Sequence, residues 1–339
     1  MSENNDTKDE LAGQQSLNEQ VVRHHHHHRH HRHHHRRRIL KNIFWWAVGI
    51  LLLFAIFFAT IAWRNLKVTT NDMYNSAGIT KQRDADKVLA KRRPVSILLL
   101  GTDTGALGRN YKGRTDTMMV MTLNPKKKTT TIVSLPRDMK VDLPGYPDES
   151  PAKINAAYTF GGVKESVKVV HQHFNIPIDY YVLVNMGGLE KAINQVGGVD
   201  VKSPLTFTYG GVSFKKGTTY HLNGKNALKF SRMRYDDPQG DYGRQQRQRL
   251  IITALLKKSI SYETVLNRQF LKSIADSSQT DLTFKNMVTL AKDYRQANAK
   301  VVQDHAQGRG QNDDGQDFEV VPSAEQERVT TLLQNSLKN

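Results

Sequence analysis

The chain of 339 residues carries a formal net charge of +17. So basic a balance predicts an anionic partner, which on charge alone is a nucleic acid, an anionic membrane or a phosphorylated substrate. The sequence contains no cysteine, which excludes disulfide frameworks, thiolate zinc sites and cysteine-ligated iron–sulfur clusters. Part of the chain is visibly not globular, so the length leaves room for about one sizeable core.

Residues 1–42 are predicted to be a disordered cytoplasmic tail, because residues 1–22 are polar and lack a hydrophobic period. Residues 23–38 read RHHHHHRHHRHHHRRR. One interpretation is a solvated basic flank that touches anionic lipid. The other is metal binding by imidazole, although the histidines have no defined ligand spacing.

Residues 43–63 are predicted to be a single transmembrane helix. This run has no charged residue, and at ~1.5 Å per residue it crosses a hydrocarbon core of about 30 Å. Arginines at 36–38 and Lys41 precede it, which predicts a cytoplasmic N-terminus and an extracellular C-terminal domain. No small-residue cleavage site follows, so the segment is interpreted as a retained anchor and not as a signal peptide.

Beyond the anchor, residues 64–93 predict a stalk or a short helix, and residues 94–339 predict a packed domain. Strand and helix patterns alternate there, which favours the α/β class. The predicted elements are strands at 95–100, 117–123 and 129–135 (the last two forming a hairpin), a helix over 163–174, a strand at 180–184, a helix over 189–196, a flexible loop at 306–317, a strand at 318–321 and a helix over 325–337.

Charged residues follow or open three of these strands, where α/β folds place their ligands. Asp103 follows the first strand and Asp116 opens the second. One interpretation is that each aspartate is only a turn residue. The other is that the two together are ligands of a hard cation such as Mg²⁺. Arg137 and Asp138 follow the third strand, and they are interpreted either as a surface ion pair or as part of a site.

The most specific cluster is built from arginines. Arg232 and Arg234 alternate as on a strand, and Arg244 and Arg247 lie on the same helical stripe as the apolar Ile251. Cations at a helix N-terminus oppose its dipole, an arrangement that suits a bound anion. The guanidinium fork matches phosphate oxygens. The alternative is a set of Arg–Asp pairs that serve only the fold.

Taken in order, these motifs resemble the LytR-CpsA-Psr family of cell-envelope phosphotransferases. The resemblance covers residues 94–258, and the His/Arg tract lies outside the family pattern. The matching segments are LLLGTDT, GRTDTMMVMTLNP, SLPRD, KINAAYTFGG, IPIDYYVLVNMGGLEKAINQVGGVDV, LNGKNALKFSRMR and GDYGRQQRQ.

The resemblance implies a mixed sheet flanked by helices, with a hydrophobic cleft for a polyprenyl chain and a Mg²⁺ (or Mn²⁺) site at its mouth. Asp103 and Asp116 would serve the metal, and Asp241 would orient arginines or act as base. Arg137 would be catalytic together with these carboxylates. The pyrophosphate clamp would consist of Arg114, Arg137, Arg232, Arg234, Arg244 and Arg247, with Gln248 beside them.

The implied reaction moves a glycosyl-phosphate polymer, a teichoic acid or a capsular or other anionic polysaccharide, from polyprenyl pyrophosphate to peptidoglycan at the cell membrane. A membrane-bound transcriptional regulator is the first alternative. Arginines at strand and helix ends and an extracellular domain oppose a nucleic-acid partner. The second alternative is a polyprenyl-pyrophosphate hydrolase, which would use the same clamp.

Overall fold

The computed structural model describes residues 72–102, 113–259 and 277–339, together with isolated positions within 52–68 and 271–275. Two compact units divide the chain, Met1–Trp63 and Arg64–Asn339, and the architecture below belongs to the second. The predicted tail and its His/Arg tract, and most of the predicted anchor, lie outside the described residues. Within those residues, no helix combines the length and the apolar character that a membrane crossing needs.

A mixed six-stranded sheet in the order β11-β6-β1-β2-β3-β12 forms the centre of the second unit. β1, β3, β6 and β12 run in one direction, while β2 and β11 run against it. The strands of this sheet are β1 (Val95–Thr102), β2 (Thr115–Asn124), β3 (Thr129–Leu135), β6 (Tyr180–Asn185), β11 (Ser278–Thr280) and β12 (Lys300–His305).

The strand directions give the sheet two unlike edges. At the first, called the carboxyl edge, β1 ends at Thr102 and β3 ends at Leu135, and β2 begins there at Thr115. The opposite end is called the amino edge. It contains the start of β1, at Val95, and the β2–β3 turn. Charged residues that follow β3 are therefore brought to the same edge as those that open β2.

Two layers of helices cover the sheet, because successive side chains of each strand point to opposite faces. Leu98 and Val120 pack with helices α2 and α7 on one face, while Ile97 and Met119 pack on the other with α1, α5 and α6. The helices are α1 (Ala85–Ala90), α2 (Ala156–Phe174), α3 (Met186–Gln195), α4 (Gly224–Arg232), α5 (Asp241–Ser259), α6 (Phe284–Asp293) and α7 (Ser323–Ser336), with 3-10 helices at Pro147–Glu149 and Arg295–Ala299.

A smaller region beside the sheet carries α3, α4 and one side of α5. Its core is aromatic, with Phe207, Phe214 and Phe230 packed against Ile251 of α5. The remaining strands are β4 (Lys140–Val141), β5 (Ala152–Lys153), β7 (Val199–Lys202), β8 (Phe207–Tyr209), β9 (Val212–Phe214), β10 (Thr219–Leu222), β13 (Arg309–Asp313) and β14 (Gln316–Val320). Because α5 packs in this core and on the sheet, it fixes their relative position.

The predicted α/β class, the mixed sheet and the β2–β3 hairpin are confirmed. The helix predicted over 189–196 is also confirmed, and it is closed by Gly197 and Gly198 at φ values of 76° and 89°. The prediction of a flexible loop at 306–317 is wrong. β13 and β14 form a hairpin there, and β13 is almost wholly solvent-exposed, so it has no apolar alternation to read.

The packed part of the chain begins earlier than the predicted boundary at residue 94. Ala85 and Leu89 of α1 are buried in the core beside β1. Arg83 forms an ion pair with the buried Asp179, and Tyr181 donates a hydrogen bond to the carbonyl of Asn75 at 2.6 Å. A helix as short as α1 offers too few residues for a clear hydrophobic period.

Candidate active site

The carboxyl edge brings four of the predicted site residues together. Asp116 is the second residue of β2, and Arg137 follows β3 by two positions. Asp241 opens α5, and Arg244 lies one turn later on the same helix. Residues far apart in sequence therefore converge because β2 begins beside the end of β3, where the first turn of α5 meets them.

Arg137 stands at the centre of a chain of alternating charges. Its Nη1 donates to Asp116 Oδ1 at 2.6 Å, and its Nε lies 3.4 Å from Asp138 Oδ2. The other oxygen of Asp138 lies 3.2 Å from Lys153 Nζ. Sequence reasoning gave Lys153 no role, although the KINAAYTFGG motif contains it, because its partner comes from another strand end.

Asp241 collects the arginines of α5 and of the preceding loop. Its Oδ1 lies 2.7 Å from Arg244 Nη2 and 3.9 Å from Arg234 Nε, and its Oδ2 accepts a hydrogen bond from Gln245 at 2.9 Å. A carboxylate in the first turn of a helix also suits the helix dipole. These contacts suit the predicted orienting role of Asp241.

Buried donors at this edge lack hydrogen-bond partners. Arg137 Nε and both Nε and Nη2 of Arg244 are inaccessible to solvent and make no hydrogen bond with the residues that the structure describes. Arg244 Nη2 approaches Asp241 at ion-pair distance without hydrogen-bond geometry. Unsatisfied buried donors cost about 1–3 kcal/mol each, so the site is suited to a ligand rich in acceptor oxygens.

The two guanidiniums differ in electrostatic compensation. Burial lowers the pKa of Arg244, and the charges of Arg137 and Arg234 lower it further, against the opposing effects of Asp241 and Asp116. Burial also lowers the pKa of Arg137, but its hydrogen bond to Asp116 and the charges of the nearby carboxylates outweigh that effect, so the pKa of Arg137 is raised. Arg244 is thus the less compensated cation, and an anion bound beside it would restore the balance.

Arg114 and Arg232, two further members of the predicted clamp, flank elements that form this site. Arg114 is exposed just before β2, and Arg232 is half-buried. The prediction that Arg232 and Arg234 share a strand is wrong: Arg232 ends α4, and Arg234 follows a single extended residue. Asn223 caps α4 by accepting from the Asn226 backbone amide, so the helix starts before the arginine pair.

Arg247 points into the protein as its stripe predicts, but the structure does not bring it to the site. Its side chain is fully buried. Nε donates to the carbonyl of Phe230 at 3.0 Å, and the other two nitrogens donate to the Asp237 carboxylate and the Met233 carbonyl. Its contacts therefore correct the predicted clamp: one turn deeper than Arg244, it holds the loop between α4 and α5. Asp103 lies outside the described residues.

Arg249 is a buried cation that sequence reasoning missed. Its Nη1 donates to Ser134 Oγ of β3 at 2.8 Å. Burial lowers its pKa to about 10, with Asp304 opposing the shift. It lies two residues beyond Arg247 and thus off the apolar stripe that drew attention to the other arginines. Its position ties α5 to the sheet beside the candidate site.

An apolar cavity of about 370 Å³ lies between the sheet and helices α3, α5 and α6. Thr117, Ser231 and Gln248 are polar side chains of its wall, with Thr117 at the carboxyl edge. Much of the remaining wall is aliphatic or thioether, including Ile97, Leu99, Met119, Met121, Ile252, Leu255, Leu256 and Leu290. The predicted hydrophobic cleft thus has a counterpart in the structure, and it reaches the edge that carries the unpaired arginine donors.

The carboxyl edge also bears on the predicted metal. Among the residues that the structure describes, no three His, Asp or Glu side chains are close enough to hold an ion by themselves. Asp116 is partly exposed and gives one oxygen to Arg137. A site with so few protein oxygens fits Mg²⁺, which keeps several waters and uses phosphate oxygens as ligands.

The fold and site define an α/β protein in which an apolar cavity reaches a pocket of buried, unpaired arginine donors. The sequence model of the LytR_cpsA_psr family matches residues 60–335, and the chain belongs to this family. A relative from Enterococcus faecalis (strain ATCC 700802 / V583), the polyisoprenyl-teichoic acid–peptidoglycan teichoic acid transferase TagU, is 44% identical over 260 residues, which are 76% of this chain and 85% of the relative.

Solved structures share the fold. A crystal structure titled as a transcriptional regulator (EF0465) from Enterococcus faecalis has a TM-score of 0.65 and 32% identity, covering 74% of this chain and 89% of that one. TagT bound to LIIa-WTA has a TM-score of 0.62 and 27% identity, covering 77% and 98%. The similarity extends over nearly the whole of both neighbours.

The different contacts of Arg247 and Arg244 predict different effects of alanine substitution. Arg247→Ala removes the guanidinium that pairs with the nearly buried Asp237 carboxylate and with two backbone carbonyls, and it should lower the free energy of unfolding by about 3–5 kcal/mol. Arg244→Ala removes donors that have no hydrogen bond and should change it little. Urea denaturation of both variants measures the difference. An Arg247→Ala protein as stable as the unsubstituted chain would contradict this structural role and favour the predicted role of Arg247 in binding the pyrophosphate.

Proposed function

We propose that this chain transfers a teichoic acid or a similar anionic glycopolymer from a polyprenyl-pyrophosphate carrier to peptidoglycan. The observation that carries the proposal is the apolar cavity that reaches the edge with the unpaired buried donors of Arg137 and Arg244. A lipid-linked pyrophosphate has the same two parts, an apolar chain and a charged head. The printed names of the relative TagU and of TagT bound to LIIa-WTA support this substrate class.

In the proposed reaction, the hydroxyl oxygen of a peptidoglycan sugar forms a bond to the phosphorus that carries the glycan. The bond from this phosphorus to the bridging oxygen breaks, and polyprenyl phosphate leaves with the proton that the hydroxyl gives up. Arg137 and Arg244 bind non-bridging oxygens, where charge must be stabilised during phosphoryl transfer. Asp241 Oδ2 accepts a hydrogen bond from Gln245, while Oδ1 lies at ion-pair distance from Arg244 and Arg234, which suits the orientation of these two arginines.

Mg²⁺ or Mn²⁺ is part of the proposal. Asp116, with Asp103 from the neighbouring segment, would hold the ion together with phosphate oxygens and water. When bound, the ion would neutralise charge on the pyrophosphate. Asp116 is also held by Arg137, so the carboxylate and the guanidinium would approach the phosphates from the same side.

Asp116→Asn and Arg244→Ala should each lower transfer by about 100-fold or more, because each removes an interaction with developing charge. The assay uses the full chain with lipid-linked donor and peptidoglycan, in Mg²⁺ or in chelator. Arg309→Ala is the matched control, since it removes an exposed arginine on β13. Activity retained in the two site variants would place the active site elsewhere.

The same assay separates transfer from hydrolysis. We expect the polymer to appear on peptidoglycan, and donor consumption to slow when peptidoglycan is omitted. Release of free polymer at an unchanged rate without the acceptor would identify a hydrolase, in which water replaces the sugar hydroxyl.

We also propose that residues 43–63 anchor the chain in the cell membrane, with the catalytic unit outside. The uncharged run after a basic flank supports this orientation. Protease added to intact protoplasts should therefore digest the chain beyond Arg64 and spare residues 1–42. Loss of the tail with survival of the folded unit would reverse the topology.

A further inference from the structure

The amino edge of the sheet, far from the candidate active site, carries a cluster of exposed cations. They come from three segments: the residues after α1, the β2–β3 turn and the start of β12. We call this surface the basic edge, and it consists of Arg92, Arg93, Lys126, Lys127, Lys128 and Lys300.

Short contacts join these segments into one surface. The backbone amide of Lys300 donates to the carbonyl of Lys128 at 3.1 Å. The hydroxyl of Tyr294 donates to the carbonyl of Arg93 at 2.5 Å, and the helix that follows Tyr294 packs against β3. The three basic segments are thus neighbours through the fold and not only along the sequence.

The basic edge has little compensating negative charge. Among the described residues its only ion pair is that of Arg92 with Asp293, at 2.9 Å. Lys127 Nζ donates to the backbone carbonyl of Asn335, which carries no net charge. Like charges held together repel each other, and an extended anionic partner would relieve that repulsion.

The apolar cavity connects the two ends of the sheet. Its wall includes Thr117 near the start of β2 and Leu123 near its end. They are six residue steps apart along the strand, about 20 Å at ~3.3 Å per step. Tyr294 also lines the cavity, and its hydroxyl contacts the carbonyl of Arg93. An apolar chain with its phosphates at the carboxyl edge would therefore point its tail towards the basic edge.

We infer that the basic edge docks on an anionic lipid surface and thereby turns the far end of the cavity towards the bilayer that supplies the polyprenyl chain. This inference rests on the proposed function. Anionic lipid fits better than the anionic polymer or a nucleic acid, because the polymer is attached at the phosphates, at the other end of the cavity. Lysines and arginines close to an anionic leaflet each strengthen membrane binding.

The absence of cysteine from the sequence allows one environment-sensitive dye to be placed at a chosen position. Gln296→Cys puts the dye beside the basic edge, and Gln311→Cys puts it on the hairpin beyond the carboxyl edge; both positions are exposed. The full chain is reconstituted in nanodiscs of phosphatidylcholine alone or with phosphatidylglycerol. We expect the fluorescence emission of the dye to shift to the blue at position 296 but not at position 311, and only in nanodiscs that contain phosphatidylglycerol.

A charge-reversal variant tests the cause of the shift. Lys126→Glu, Lys127→Glu and Lys300→Glu together should abolish it. Each lysine contributes about fivefold to association with an anionic surface, so loss of the three positive charges alone costs roughly 100-fold, and the three new negative charges weaken association further. The matched control reverses the exposed Lys215, Lys216 and Lys225, and it should keep the shift. An equal loss in the control would mean that net charge, and not this surface, causes docking.

Transfer activity is measured on the same nanodiscs. A preparation that transfers polymer but shows no emission shift at position 296 would overturn the docking inference and leave the proposed function standing. A preparation that shows the shift but does not transfer polymer would overturn the proposed function and leave docking standing. In a separate arm, soluble poly(glycerol phosphate) or duplex DNA is added to the protein in neutral nanodiscs. If either polymer shifts the dye emission at position 296 as much as phosphatidylglycerol does, the basic edge binds that polymer and lipid docking is overturned.

Discussion

The buried contact between Arg247 and Asp237 fixes the start of α5, and the candidate site depends on that placement. Arg247 uses all its nitrogens on the end of α4 and on the loop before α5, and its ion pair with Asp237 would be costly to break because it is shielded from water. Gly243 lies against Asp237 so closely that a Cβ there would come within 1.9 Å of the carboxylate. Only glycine permits this approach, and it sets Asp241 and Arg244 at the carboxyl edge.

α5 also joins the two chemical halves of the proposed substrate site. Its first turn carries Arg244, and its middle supplies Ile252 and Leu255 to the cavity wall. Arg249 anchors the same helix to Ser134 of β3. A shift of α5 would therefore change the arginine pocket and the cavity together. The buried polar contacts of Arg247 and Arg249 hold the helix in place.

The sequence predicted what depends on periodicity and on strand ends. Strands β1, β2, β3 and β6 were found from their apolar runs, and Asp116 and Arg137 were expected to matter because they flank such strands. The inward stripe of α5 correctly placed Arg244 and Arg247 towards the protein. Local patterns could not tell which of the two had partners, because Asp237 reaches Arg247 through the turn of an intervening loop.

The remaining features depend on contacts between distant segments. Lys153 enters the site only because β5 lies beside Asp138, and Arg249 is placed by its contact with β3. The hairpin at β13 and β14 is polar on most positions and gives no hydrophobic signal. The end of α4 was predicted as a strand because Arg232 and Arg234 alternate in sequence. In the structure the backbone changes from helix to extended chain between these two arginines.

In the proposed function, one ligand occupies the cavity and the arginine pocket together. The most direct measurement is equilibrium binding of polyprenyl pyrophosphate and of inorganic pyrophosphate to Leu255→Trp and Arg244→Ala. Leu255→Trp fills the cavity, so it should weaken only the lipid ligand, whereas Arg244→Ala removes a charge-assisted contact and should weaken both by about 10- to 100-fold. Unchanged binding of polyprenyl pyrophosphate by either variant would contradict the claim.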